Sequence, residues 1–162
     1  MPAGEQVAFE PALAGVLGED FHDPAVGRET FVAGHIPTRI GVMRTLDLEY
    51  AEVSASYAAL AATHVIVPHP DTGEVWMAMP FSSVPTPFSV MANGRAVWAN
   101  CVWDAFGIAA ALDADVSFVS PCPVSNVPIA AGVRLGVAYA APGAVVHVGV
   151  PAPRWWDDIG FT

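Results

Sequence analysis

A cysteine and an aspartate three residues apart, Cys101 and Asp104, are the pair of side chains in this sequence best suited to joint chemistry. They stand where a helix is predicted to begin, and residues at i and i+3 lie on one face of a helix. A thiolate binds soft metals and soft electrophiles, while a carboxyl group can hold or deliver a proton. We therefore expect Cys101 to act as thiolate ligand or nucleophile and Asp104 as proton donor, both facing a common, mainly apolar cavity.

Both residues also have an ordinary structural interpretation. Cysteine often behaves as a small buried hydrophobe, and aspartate near a helix start often caps the helix or interacts with its first turn. If the chemical interpretation holds, the positive end of the helix should lower the pKa of Cys101 and raise its thiolate fraction.

The other reactive side chains form weaker patterns. Cys122 lies between two prolines in a predicted loop and is either a second soft ligand near Cys101 or a structural thiol. The five histidines do not have the spacing of a zinc site, and the sequence has no phosphate loop, dinucleotide fingerprint or serine-hydrolase elbow. Trp155 and Trp156 either line a pocket or cover one edge of the core.

Composition predicts a packed interior rather than a disordered chain. Of the 162 residues 54% are hydrophobic and 14% are charged, and the formal net charge is −10 with no lysine. Such a chain repels phosphate backbones, so we expect no nucleic-acid partner. No uninterrupted apolar stretch reaches about 18 residues and no signal peptide is visible, which predicts a cytoplasmic protein without a membrane partner and with reduced cysteines.

The first half of the chain predicts helices followed by a hairpin, a winged-helix-like unit. The predicted helices run from Asp23–Pro24 to about Ala33, from a Thr38 cap through Met43, and from an Asp47 cap over Leu48 to about Thr63; the predicted strands are 64–68 and 74–81, with a turn at 70–73. We interpret this unit as structural or as a lid, since its helices carry few arginines.

The second half predicts a small mixed β-sheet carrying one main helix, so that the whole chain is α+β. A hairpin at 88–92 and 95–99 surrounds Asn93–Gly94, the helix runs from Cys101 through Leu112, and further strands are predicted at 116–119, 133–139 and 145–150. The predicted domains are an N-terminal arm with the winged-helix-like unit at 1–81, a proline-rich linker at 82–87 and an α+β core at 88–162.

The order of these features resembles the alkylmercury (organomercurial) lyases over roughly residues 24–162. The resemblance rests on Pro80–Phe81–Ser82, the Pro-Thr-Pro linker, the segment Val-Trp-Ala-Asn-Cys-Val-Trp-Asp-Ala at 97–105, and the strand ending in Ser120–Pro121–Cys122. Its most specific part is aromatic-Ala-x-Cys-x-x-Asp, from Trp98 to Asp104.

The resemblance implies protonolysis of a carbon–mercury bond without a separate cofactor, mercury being part of the substrate or product. Cys101 and Asp104 match the family's mercury-binding cysteine and the aspartate that takes part in proton delivery, and we expect both residues to form the mercury site. The chemistry is reasonable, because mercury is soft and prefers thiolate.

The resemblance also implies a second catalytic cysteine near the position of residues 159–162, and this sequence has no cysteine after Cys122. Cys122 matches a different, non-catalytic family cysteine. The chain is then either shortened before its last segment or a divergent member. An alternative from another class is a non-catalytic protein of the same fold that binds a metal or a small apolar ligand through one thiol.

Overall fold

The computed structural model describes residues 37–160, so the predicted helix between Asp23 and Ala33 lies outside the described residues. The chain divides into two compact units, Met1–Val84 and Pro85–Thr162. The described residues form an α+β protein with helices and two antiparallel sheets. Within residues 37–160, every helix falls short of the length and apolarity that a bilayer crossing requires.

Two helices begin the described part of the first unit, α1 at Arg39–Leu46 and α2 at Tyr50–Ala62. Thr38 caps α1 as predicted, its hydroxyl accepting a hydrogen bond from the N–H of Gly41 at 3.1 Å. The predicted Asp47 cap for the next helix is wrong. Asp47 ends α1 in a left-handed conformation, and Glu49 starts α2 through a capping box with Glu52.

A three-stranded antiparallel sheet follows, with β1 at Ile66–Pro68, β2 at Val75–Ala78 and β3 at Phe81–Ser82 in that order. The single strand predicted at 74–81 is therefore two strands, because the chain turns at Met79–Pro80 and β3 pairs back onto β2. Val53, Tyr57 and Leu60 of α2 are buried with residues of β1 and β2 in one core.

The second unit contains a five-stranded sheet in the order β5-β4-β6-β7-β8, and every neighbouring pair is antiparallel. Its strands are β4 at Ser89–Ala92, β5 at Arg95–Trp98, β6 at Val116–Pro121, β7 at Pro128–Arg134 and β8 at Val137–Ala140. The predicted mixed sheet is wrong. The helix α3, at Val102–Leu112, connects β5 to β6, and these two strands run in the same direction. They do not pair with each other, because β4 lies between them and pairs antiparallel with both.

The helix α3 packs on the central strands through small and branched side chains. Ala105 and Ile108 are fully buried, together with Val90 of β4 and Phe118 of β6. Phe106 meets Phe118 edge to face, with ring centroids 5.0 Å apart. This packing fixes the direction of α3 relative to the sheet and therefore the place where the helix begins.

Two strand predictions near the C-terminus are wrong. The strand predicted at 133–139 is a hairpin, because Leu135 and Gly136 both have positive φ and reverse the chain between β7 and β8. Residues 145–150 form no strand: Val145 is 86% exposed and the segment does not pair with the sheet. A short 3₁₀ helix follows at Ala152–Asp157.

Candidate active site at the start of α3

Cys101 is the N-cap residue of α3, with extended backbone angles that end the approach from β5. Its thiol donates a hydrogen bond to the Asp104 carboxylate, with Sγ and Oδ2 3.6 Å apart. The backbone N–H of Asp104 donates to the same sulfur at 3.5 Å. The two side chains that the sequence pattern placed on one helix face are thus in direct contact at the helix start.

Cys101 is also the N-cap of the helix, with sulfur in place of the usual hydroxyl oxygen. Its Sγ accepts a hydrogen bond from the backbone N–H of Asp104. The structural interpretation of Cys-x-x-Asp is therefore correct for the helix start, since Cys101 caps the helix and Asp104 lies in its first turn. It does not exclude chemistry, because the same contacts place the thiol against the carboxylate.

Burial and charge set the protonation of the pair. Burial raises the pKa of the Cys101 thiol, and the neighbouring Asp104 charge raises it further. Burial likewise raises the pKa of the Asp104 carboxyl. The expectation that the helix N-terminus lowers the pKa of Cys101 is wrong in its net sign, since hydrogen bonds from the helix N–H groups only partly offset the two raising effects. At neutral pH Cys101 is mainly a thiol, and a base must remove its proton.

The approach to Cys101 is anchored two residues earlier, at the buried Ala99. The Thr86 hydroxyl donates to the Ala99 carbonyl at 2.6 Å, and the Ala99 N–H donates to the Phe88 carbonyl at 3.0 Å. Thr86 also accepts from the N–H of Phe88 at 3.2 Å. The Pro-Thr-Pro segment, predicted only as a linker, therefore fixes the backbone that carries the cysteine.

The side chain of Asn100 is a third member of the site, which the sequence analysis did not assign. It donates a hydrogen bond to the Asp104 carboxylate, and this bond lowers the pKa of Asp104. The sequence signal that could have indicated this role is the position of Asn100 directly before Cys101, from which its amide can reach the Asp104 carboxylate.

Cys122 lies just beyond the end of β6 and is half-buried. Because β5 and β6 run in the same direction on either side of β4, Cys101 and Cys122 follow strand ends at the same end of the sheet, with the two strands about 10 Å apart. Hydrogen bonds from the Ser125 hydroxyl and from the N–H groups of Ser125 and Val124 lower the pKa of Cys122. Its contacts are thus those of its own turn.

Three further observations concern the other candidate residues and the surface near α3. The indole N–H of Trp155 donates to the Val150 carbonyl at 2.6 Å, within its own segment. Across residues 37–160, no three His, Cys, Asp or Glu side chains form a metal-binding cluster. A cavity of about 530 Å³ lies at the other end of α3, lined by Phe106, Asp113 and Leu135 among others, and neither Cys101 nor Asp104 lines it.

A family model described as alkylmercury lyase (MerB) matches residues 81–162, which include the whole of this site and half of the chain. The chain belongs to the alkylmercury lyase family. The sequence resemblance carried by the segment from Trp98 to Asp104 is thereby confirmed. No curated protein sequence matches this alkylmercury lyase family member.

A solved structure supports the fold assignment. The chain is similar to the crystal structure of the mercury-bound form of MerB2, with a TM-score of 0.59 and 24% sequence identity. The match covers 83% of this chain and 66% of that structure's chain. At this identity the likeness shows a common fold, so the α+β architecture of this alkylmercury lyase family member is that of a known structure.

Proposed function

We propose that this protein cleaves carbon–mercury bonds by protonolysis, with Cys101 as the mercury ligand and Asp104 as the group that moves the proton. The observation that carries the proposal is the 3.6 Å contact between the Cys101 sulfur and the Asp104 carboxylate. Family membership and the fold shared with a mercury-bound structure support it.

The contact supplies a route for one proton through the whole reaction. When an organomercurial carried by a low-molecular-weight thiol reaches the site, the Cys101 sulfur forms the new bond to mercury and the carrier leaves as thiolate. The Cys101 proton passes to the Asp104 carboxylate, which already accepts its hydrogen bond. Raised pKa values favour this exchange, because burial makes the thiol keep its proton until mercury binds and makes Asp104 a better proton acceptor.

Protonated Asp104 then delivers the proton to the carbon bound to mercury. The carbon–mercury bond breaks, its electron pair forms the new C–H bond, and Asp104 returns to carboxylate. Mercury(II) remains on Cys101 and leaves with two molecules of the low-molecular-weight thiol, which restores the proton to Cys101. The balance is one organomercurial thiolate and one thiol consumed, and one hydrocarbon and one mercury bis-thiolate formed.

A non-catalytic binding protein is the second candidate. The observation that favours it is the composition of the site, which brings together one thiol and one carboxyl while Cys122 is engaged in its own turn. Such a protein would hold an organomercurial or another soft ligand through Cys101 and leave the carbon–mercury bond intact.

We also propose that the first unit has a supporting, winged-helix-like role and binds no nucleic acid. Its described helices precede a small antiparallel sheet, which is the order of elements in such a unit. The formal charge of −10 opposes contact with phosphates.

Capture and cleavage are tested separately. Because Cys122 is also a free thiol, capture is compared in a Cys122→Ser background. Cys122→Ser and the double variant Cys101→Ser/Cys122→Ser are incubated with phenylmercury, and the adduct is measured by mass spectrometry. We expect Cys122→Ser to keep a stoichiometric adduct and the double variant to lose it. Loss of the adduct in Cys122→Ser, or its retention in the double variant, would contradict the assignment of Cys101.

Cleavage is read as benzene released in the presence of excess thiol. Asp104→Asn should retain the adduct but release benzene more slowly by on the order of 10²–10⁴-fold, because the amide cannot donate an acidic proton. Asp113→Asn is the matched control, since it makes the same change at the other end of α3 and asparagine tolerates the left-handed conformation of residue 113. Wild type that holds phenylmercury and releases no benzene would reject the lyase proposal and favour the binding protein.

A further inference from the structure

The cavity at the carboxyl end of α3 is separate from the Cys101 pair and has a chemical character of its own. Its volume of about 530 Å³ is within the range of small-molecule sites, and it lies between the last turns of the helix and the β7–β8 hairpin. Its apolar wall includes Phe106 and Ala109 from the helix and Val133 and Ala138 from the sheet. A ligand with an apolar body therefore fits this wall.

The charge at the cavity is negative. Asp113 and Asp115 line it, and among the described residues no arginine or histidine does. Asp113 is also the C-cap of α3, and the carbonyl end of a helix carries a partial negative charge. Asp115 is held in place, because its Oδ1 accepts a hydrogen bond from the Leu135 N–H at 2.7 Å. That bond occupies one carboxylate oxygen, so the other can accept from a ligand.

Leu135 is an unusual residue for the turn that borders the cavity. It has a φ of 50°, a left-handed conformation that asparagine and glycine adopt at lower cost, and its side chain is 87% exposed. Folding therefore gains little from a leucine at this position. Contact with a bound apolar group would account for it, because the leucine side chain forms part of the cavity wall.

We propose that this cavity binds a small organic cation, with its ammonium group at Asp115 and the carbonyl end of α3 and its apolar body against Leu135 and Phe106. An anion of the same shape is repelled by the carboxylates, and a neutral analogue lacks the charge-assisted hydrogen bond. The proposal goes beyond carbon–mercury cleavage and does not depend on it, because neither Cys101 nor Asp104 lines the cavity.

Phenethylammonium is a suitable probe, since it combines an ammonium group with an aromatic ring. It is titrated at low salt into the full 162-residue protein labelled with ¹⁵N, and binding is followed by the chemical shifts of the backbone amides. We expect saturable shifts in residues 106–115 and 133–138, with a dissociation constant on the order of 1 mM for so small a ligand. The neutral analogue 2-phenylethanol should bind at least about threefold more weakly, and the anion 3-phenylpropanoate should cause no saturable shifts there.

Two variants test the charge and the apolar wall separately. Asp115→Asn keeps an oxygen that can accept from the Leu135 N–H, and it should weaken binding about two- to fivefold. Its control is Asp71→Asn, which makes the same change in net charge in the β1–β2 turn and should leave the affinity unchanged. Leu135→Asn suits the left-handed conformation and should weaken binding at least about threefold. Its control is Val137→Thr, because Val137 is 68% exposed and does not line the cavity.

The outcomes decide the proposal even if one variant does not fold, because the comparison of the three probes needs wild type alone. No saturable shifts with phenethylammonium up to about 20 mM, shifts centred elsewhere, or equal affinity for 2-phenylethanol would each overturn it. Equal weakening by Asp71→Asn and Asp115→Asn would also overturn it, since net charge alone would then explain the attraction. So would an unchanged affinity in Leu135→Asn. None of these results involves benzene release, so failure of the lyase proposal and failure of this one are distinguished by separate assays.

Discussion

Replacing Cys101 by serine should leave α3 as stable as in wild type, although it removes the thiol on which the proposed function depends. The sulfur of Cys101 accepts a hydrogen bond from the N–H group of Asp104, and serine is one of the strongest N-cap residues for the same contact. Cys101→Ala, in contrast, removes the acceptor and leaves that N–H group to water. Loss of an N-cap side chain costs about 1 kcal/mol, within a range of roughly 0.5–2.

This difference is large enough to measure in the second unit. For a unit of the size of residues 85–162, a loss of about 1 kcal/mol lowers the melting temperature by roughly 4–8 °C. Tryptophan fluorescence is a suitable probe, because four of the five tryptophans lie in that unit: Trp98, Trp103, Trp155 and Trp156. Cys122→Ser is the matched control for loss of a thiol.

We expect Cys101→Ser to melt within about 2 °C of wild type, equivalent to less than about 0.5 kcal/mol, and Cys101→Ala to melt clearly lower. Equal destabilisation by serine and alanine would refute the capping role of residue 101. The stability of the serine variant also matters for function, because a loss of phenylmercury capture at position 101 could then not be attributed to unfolding.

Two further predictions concern protonation. At pH 7.5 iodoacetamide should modify Cys122 faster than Cys101, each rate being measured in the variant that lacks the other cysteine. The reason is that hydrogen bonds lower the pKa of Cys122, while burial and the Asp104 charge raise the pKa of Cys101. A faster reaction of Cys101 would contradict these pKa shifts. Burial raises the pKa of Tyr57 from 10.0 to about 12. The stability that its neutral phenol contributes is therefore fully present below pH 10 and is lost as pH rises through about 12. Urea unfolding from pH 8 to 12 should show this loss in wild type and not in Tyr57→Phe, and identical profiles for the two proteins would refute the prediction.

The sequence predicted the parts of the fold that local chemistry determines. The Asn93–Gly94 turn, with positive φ at both residues, and the Thr38 cap are found where they were expected. The pairing of strands that are distant in the sequence was predicted less well. The turn at Leu135–Gly136 was missed because leucine gives no turn signal, and the antiparallel character of the sheet depends on β4 lying between β5 and β6, which no local pattern encodes.

The contact between Cys101 and Asp104 could be predicted from the sequence, but the direction of the pKa shift of the thiol could not. The i, i+3 spacing of Cys101 and Asp104 was sufficient to bring the two groups together. The sign of the thiol pKa was missed, because burial and a neighbouring charge depend on packing that the sequence does not display. The Asn100 bond to Asp104 was missed for a related reason, since an amide beside a motif has many possible partners until the backbone is fixed.

The sulfur-based N-cap has an evolutionary consequence. Cysteine and serine codons can differ by a single base, and serine is among the preferred residues at a helix N-cap, the position that Cys101 occupies. Selection for a stable fold would therefore hardly oppose a change from cysteine to serine at position 101. Descendants of one ancestral gene could lose or regain a soft-metal ligand by neutral drift while the surrounding helix and sheet stayed intact. Under the function proposed above, retention of the fold would thus be a poor guide to retention of mercury capture, and the identity of residue 101 would be the better marker.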